Sequence, residues 1–354
     1  MKKVLLIAGA GTLGNPTAEE LINLGYDVTV IALNDMVSLN KHYHFIKATV
    51  TDDLLKSLFA ENRFDAIVDF IHYGDPVKYK PRGDLLLANT DQLIFLSSYR
   101  VYANEEPVIT ENSPQILDVI SKTDENGTVA LDGTYGGLDK SFILGKETYA
   151  IPKSFNERFL RSKEKKNWTV IRPLITFSHY RLDLITEGAG DLLLQAREGG
   201  TLLLPLGAKR NTAGVGHCSN LGKMIAHLIG KQDALGEAFT LGTGEPHLWE
   251  DVAGYYADLL GLDMMWVPDA DYIAAKQNFD PFIYPLDRAW NRKIDNSKMF
   301  RVTGLTKADF LPTRAGIVKE LAYFAEHPEK VEKFFNPGVR AVCDRMNAYA
   351  KEHR

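Results

Sequence analysis

The first twenty-five residues constrain the fold more than any other stretch of the chain. KVLLIA (3–8) is a short, unbroken apolar run, AGAGTLG follows it, and LGNPTAEELINL (13–24) carries helical apolar spacing. Pro16 is tolerated in a first helical turn and Gly25 stops the helix. A continuous apolar run reads as a strand buried on both faces. Glycines between such a strand and a helix permit a tight turn whose helix start faces an anion. The rhythm then repeats. DVTVIAL (27–33), HFIKATV (44–50), FDAIVDFI (64–71), QLIFLSS (92–98) and WTVIRP (168–173) read as strands. DDLLKSLFAEN (52–62), a short stretch at 83–88 after Pro81, and 148–166 read as helices. This alternation predicts an α/β fold built on a doubly wound parallel sheet.

Residues 103–140 are rich in Asn, Asp, Gly and Pro and read as loops. Beyond Pro173 the rhythm changes, with helical patterns at 192–197, 218–230, 249–261, 313–326 and 328–350 and strand patterns at 201–206 and 237–242. Two domains are expected: residues 1–173 as a dinucleotide-binding domain, and 174–354 as a smaller, mostly α/β substrate-binding lobe. Part of the second, at about 211–245, is expected to return to the first.

Composition excludes several classes. Net charge is −5 and KEKK is the longest basic run, which leaves no footprint for nucleic acid. Cys218 and Cys343 are the only cysteines, without metal-type spacing, so a reducing cytoplasm is the expected compartment. No apolar stretch has membrane-spanning length, and the N-terminal apolar run breaks at glycines rather than at a cleavage site. His42, His44, His72, His179, His217 and His247 are scattered and form no metal motif.

The glycine turn fits a dinucleotide fingerprint. Gly9 and Gly11 make the turn, with Thr12 and Leu13 beside the phosphates, and Gly14 lets the helix approach the sheet. At the end of the second strand, Asn34 or Asp35 is placed to bond the ribose. No Lys or Arg occurs between 28 and 40, which argues for NAD and leaves NADP open.

Tyr149 and Lys153 lie four residues apart, on one face of a helix. An ammonium beside a phenol favours its ionised form, so tyrosine can trade protons near neutral pH. Pro152 between them removes a helical hydrogen bond, so the helix either begins near Thr148 or kinks there. Tyr135 has Asp139 where a lysine would be needed and is the weaker candidate.

With AGAGTLG, LSSYRVY (96–102), YAIPK (149–153) and TVIRP in this order, the chain resembles the extended short-chain dehydrogenases/reductases of the NAD-dependent epimerase/dehydratase type. VITENSP (108–114) and IDNSKM (294–299) resemble further segments of that family. The resemblance implies a Rossmann domain and a catalytic set of Ser98, Tyr149 and Lys153. Tyr149 would be the acid/base, Lys153 its partner and the holder of the nicotinamide ribose, and Ser98 the group orienting the substrate oxygen. It implies a nicotinamide-dependent epimerase or oxidoreductase acting on a sugar or a nucleotide-sugar-like small molecule. Elimination chemistry is disfavoured, since Tyr99 and Arg100 stand where a carboxylate would help. The chain departs from nucleotide-sugar enzymes at Ile175, Ser178 and His179, at Asn220, and at Ala48 and Thr49. Substrate contacts are expected from Tyr99, Arg172, Arg210 and Arg288, with Lys209 and Arg292 as further cations. Tyr272, Phe279, Phe282, Tyr284 and Trp290 are candidates to wall a cleft. The family often dimerises through two helices of the dinucleotide domain. A homodimer is therefore an expected state, although the polar residues Asn156, Arg158, Arg161, Lys163 and Lys165 on the helix 148–166 leave a monomer open. The alternative function is a non-catalytic NAD(P)-binding sensor or RNA-associated protein of the same fold.

Overall fold

A computed structural model describes residues 2–34, 38, 40–123, 129–277 and 282–354. The chain divides into two compact units: 1–174 with 218–244 and 294–310, and 175–217 with 245–293 and 311–354.

The first unit is built on seven strands: β1 (Lys3–Ile7), β2 (Asp27–Ala32), β3 (Tyr43–Lys47), β4 (Phe64–Asp69), β5 (Thr90–Leu96), β6 (Trp168–Pro173) and β7 (Glu237–Leu241). Their order is β3-β2-β1-β4-β5-β6-β7, and every pairing is parallel. The helices are α1 (Gly14–Asn23), α2 (Asp52–Glu61), α3 (Pro76–Ala88), α4 (Ala150–Arg161) and α5 (Cys218–Leu228). The two-residue period of a strand divides its apolar side chains between the two faces of the sheet. Val4 and Leu6 of β1 join Leu21 of α1 and Met224 and Leu228 of α5 in one core layer. Leu5 and Ile7 join Leu55 of α2, Tyr79 and Leu86 of α3 and Leu160 of α4 in the other. Burial on both faces explains why these strands read as unbroken apolar runs. The order reverses at β1, whose neighbours are β2 and β4, so the carboxyl ends of β1 and β4 flank the switch point of the sheet.

Three departures from expectation have physical causes. Helix α3 runs from Pro76 through Pro81 instead of starting after it. Asp75 caps it through Val77 N and Lys78 N, and buried Tyr79, Gly83, Leu86 and Leu87 outweigh the one hydrogen bond that Pro81 forfeits. Residues 103–140 are not loop throughout: they include a helical turn at Ile116–Ile120, with Ile116, Leu117 and Ile120 buried. Residues 294–310, expected in the second lobe, belong to the first unit, where Ser297–Thr303 forms a helix. Asn296 ties that segment to β7 by donating from Nδ2 to the Thr240 carbonyl (3.0 Å).

The second unit pairs Thr201–Pro205 with Asp263–Val267 and Ile175–Phe177 with Val215–His217, both in parallel. Its main helices are Ala189–Glu198, Trp249–Leu260, Thr313–Glu326 and Pro337–Glu352. A buried cluster links Lys276 to Glu187 (2.8 Å), whose other oxygen accepts from the Tyr272 hydroxyl (2.6 Å). Among the described residues no helix is long and apolar enough to cross a membrane.

Candidate active site

The turn between β1 and α1 owes its shape to its small residues. A Cβ on Gly14 would lie 2.1 Å from the Gly9 carbonyl oxygen, and one on Gly9 would lie 2.6 Å from Leu6 Cβ. At either position a side chain would force its neighbours to shift. A Cβ on Gly11 would meet nothing within 4 Å among the described residues, so this glycine leaves open space beside it. Ala8 adopts φ 55°, a left-handed conformation that costs a non-glycine residue roughly 1–2 kcal/mol. Leu13 occupies the N-cap of α1 and offers no side-chain acceptor, which leaves the helix start available to an anion. Thr12 and Leu13 are half-buried on this turn, and Asn34 is exposed just beyond β2. Asp35 lies outside the described residues, as does Phe279. This glycine cradle, with an open position at Gly11 and an uncapped helix behind it, fits a dinucleotide diphosphate.

Across the switch point, Tyr149 is the N-cap of α4. That resolves the position of Pro152, which falls in the first turn, where a helix needs no N–H donor. Lys153, one turn on, is 2 % exposed. Its Nζ donates to the carbonyls of Leu96 (2.7 Å) and Ser97 (3.3 Å) at the end of β5 and lies 5.1 Å from the centre of the Tyr149 ring. Burial pulls the Lys153 ammonium down to about 8, against the opposing charges of Glu157 and Asp69. Tyr149 itself is partly exposed, and the His72 ring lies 5.1 Å away. Burial, then the Lys153 charge, holds His72 below its ordinary value. Ser98 is buried and caps the turn Tyr99–Val101, its Oγ accepting from Arg100 N (3.2 Å).

Two buried carboxylates lie behind this group. Asp69 ends β4, fully buried, and accepts from Ile71 N (3.1 Å) and the Tyr73 hydroxyl (2.8 Å). Burial pushes it up to about 6. Glu157, one turn after Lys153, accepts from Arg172 Nε (3.0 Å) and a second Arg172 nitrogen (2.5 Å), from the Ser97 hydroxyl (2.5 Å) and from Gln115 (2.8 Å). Burial alone would raise Glu157, but Arg172 more than offsets it and holds the carboxyl below the usual range.

This corrects the expectation for Arg172. It is 1 % exposed, and it also donates to the Tyr102 hydroxyl (2.8 Å) and the Glu111 carbonyl (3.2 Å), so it is buried as a brace in the core of the first unit. Arg288 is likewise buried, within the second unit, donating to the Ile185 carbonyl (2.7 Å) and paired with Asp183 and Asp287. Arg292 is buried and donates to the Leu286 carbonyl (3.1 Å). Arg210 is exposed on the second unit, paired with Glu250, and Lys209 Nζ lies 5.5 Å from the Trp266 ring. Tyr99 is buried beside Ser98, and Tyr135 donates to the Ala103 carbonyl. Sequence reasoning passed over Glu147 and Glu157. Glu157 had a readable signal, since it follows Lys153 at helical i, i+4 spacing. Glu147 had none, because its partner Arg100 is 47 positions away.

No protein-family model matches the chain. The chain is 25% identical over 200 residues to UDP-glucose 4-epimerase of Neisseria meningitidis serogroup B, an alignment covering 44% of this chain and 59% of that protein. The match thus spans little more than half the length of such relatives. Solved structures align over nearly all of it. The epimerase Mth375 of Methanothermobacter thermautotrophicus gives a TM-score of 0.62 at 16% identity, covering 94% of both chains. The Bordetella bronchiseptica enzyme WbmG, solved in complex with NAD, gives 0.62 at 16% identity, covering 92% of this chain and 94% of that one. By its sheet order and these structural likenesses, the chain has a Rossmann-type α/β fold, the fold of the epimerase Mth375 and of WbmG.

Proposed function

We propose that this protein is an NAD-dependent epimerase or closely related oxidoreductase acting on a sugar carried by a nucleotide. The carrying observation is the meeting of Tyr149 and Lys153 at the start of α4, with the lysine ammonium 5.1 Å from the phenol ring and anchored on the end of β5. The epimerase name of the sequence relatives supports the sugar-nucleotide class. Gly9, Gly11, Thr12, Leu13 and Gly14 would hold the cofactor diphosphate, Asn34 and Asp35 the adenosine ribose, and Lys153 the nicotinamide ribose. NAD, when bound, supplies reversible hydride transfer. The chain's own residues do the rest. Tyr149 takes the proton from the reacting hydroxyl and returns it. Lys153 keeps a positive charge beside the phenol, and Ser98 donates to the same substrate oxygen and orients it. The groove lined by Pro76, Val77, Lys80, Phe155, Arg158 and Phe159 on α3 and α4 supports a homodimer through those helices.

The test is direct. The purified protein is denatured, released nicotinamide is quantified, and turnover is measured on UDP-glucose and UDP-galactose. Near-stoichiometric NAD with interconversion lost in Tyr149→Phe supports an epimerase. An empty protein that oxidises added NADH in the presence of a keto-sugar supports a net reductase. No binding of either nicotinamide overturns the reading.

A further inference from the structure

Tyr149 and Ser98 stand on different elements, and one buried ion pair ties those elements together. Glu147 is 4 % exposed and turns its carboxylate onto the start of α4. Its Oε1 accepts from Tyr149 N (2.6 Å) and Ala150 N (3.0 Å), and its Oε2 accepts from Arg100 (2.8 Å). Arg100 belongs to the Ser98 turn, where its own N–H donates to Ser98 Oγ (3.2 Å). The Arg100 guanidinium carbon lies 5.4 Å from the centre of the Tyr149 ring.

Helix capping alone does not account for this arrangement. Helices α2 and α3 are capped by exposed Thr51 and Asp75 at the N-cap position itself, which costs little. At α4 that position is taken by Tyr149, which provides no side-chain cap. A buried carboxylate and guanidinium replace it, and burying such a pair carries a desolvation penalty that its mutual attraction only partly repays. Arg100 Nε is moreover buried with no acceptor among the described residues, a further cost that a purely stabilising contact has no reason to carry. What the pair achieves is geometric: it holds the main chain of Tyr149 in register with the turn that presents Ser98.

The geometry points to Glu147 and Arg100 as positioning residues for the reaction, acting through Tyr149 and Ser98 rather than on the substrate. This inference rests on the reading of Tyr149 as the acid/base and Ser98 as the group that orients the substrate oxygen. Small misplacements of reacting groups cost on the order of 10²-fold in rate. Glu147→Ala and Arg100→Met are therefore expected to lower kcat about 10²-fold while KM and the NAD dissociation constant stay within about threefold. The double variant is expected to be no slower than the slower single one, because the two act as a unit. Arg100→Lys keeps one donor for Glu147 and is expected to recover about tenfold over Arg100→Met. Should Glu147→Ala fail to fold, Glu147→Gln takes its place, keeping the acceptor and losing the charge.

Hydrogen exchange of the 149–150 amides supplies a readout independent of turnover, with faster exchange expected in Glu147→Ala. A variant that melts earlier but retains wild-type kcat well below its midpoint overturns the inference. So does unchanged exchange at 149–150. A wild-type protein without turnover on any nucleotide sugar would sink the functional reading alone, and the exchange result would still decide whether Glu147 holds Tyr149.

Discussion

At the scale of single residues, the glycines of the β1–α1 turn separate folding from binding. Gly11→Ala adds a methyl that meets nothing among the described residues, so stability is expected to stay within about 0.5 kcal/mol of wild type. NAD affinity is expected to fall at least tenfold, because the methyl enters the space proposed for the diphosphate. Gly14→Ala places its methyl against the Gly9 backbone and is expected to cost roughly 1–3 kcal/mol in stability. Thermal melts beside calorimetric NAD titrations check both, and full NAD affinity in Gly11→Ala would remove the turn from the cofactor site. Lys153 makes a pH prediction. If its charged form is the working one, kcat falls as pH rises through about 8. Asp69 is one of the charges that raises Lys153, so Asp69→Asn is expected to move that limb to lower pH. A pH–rate profile of the two proteins checks it. Unfolding through this group would run the other way. The folded value lies below the unfolded one, so between about 8 and 10.4 the unfolded chain binds more protons and this lysine's contribution to stability grows with pH. A basic loss of activity is then a property of the site.

At the scale of elements, the close approach of α5 to α1 depends on one residue. A Cβ on Gly222 would lie 2.8 Å from Pro16 C and Thr17 N. Gly222→Ala must therefore push the helices apart, at an expected cost of roughly 1–3 kcal/mol, read as a lowered urea midpoint with little change in m. The strands were legible because burial on both faces leaves an unbroken apolar signature, as in KVLLI of β1. Helix α3 was legible only in its last turn. Its earlier residues carry no helical reading, which begins only at 83 after Pro81, and only Asp75 and the buried ring of Tyr79 reveal why the helix runs through Pro81.

For the whole molecule, Val77 is 74% and Phe155 40% exposed on neighbouring faces of α3 and α4. A dimer that covers them is expected by light scattering, and the double variant Val77→Asp, Phe155→Asp is expected to run as a monomer that retains bound NAD. A wild-type monomer at micromolar concentration would remove the dimer from the proposal.

Sequence alone determined the sheet, the position of the glycine turn and the pairing of Tyr149 with Lys153, because each is written in residues close together: apolar runs, small residues at fixed offsets, one turn of helix. Tertiary structure decided which charges are free to act. Arg172 reads as an available cation and is a buried brace on Glu157. Nothing in the sequence links Arg100 to Glu147, yet they meet under Tyr149 from 47 positions apart. Residues 294–310 rejoin the first unit from far along the chain. A charged side chain costs little to expose and much to bury unpaired, so its role depends on the partner the fold brings to it, and no local pattern records that partner.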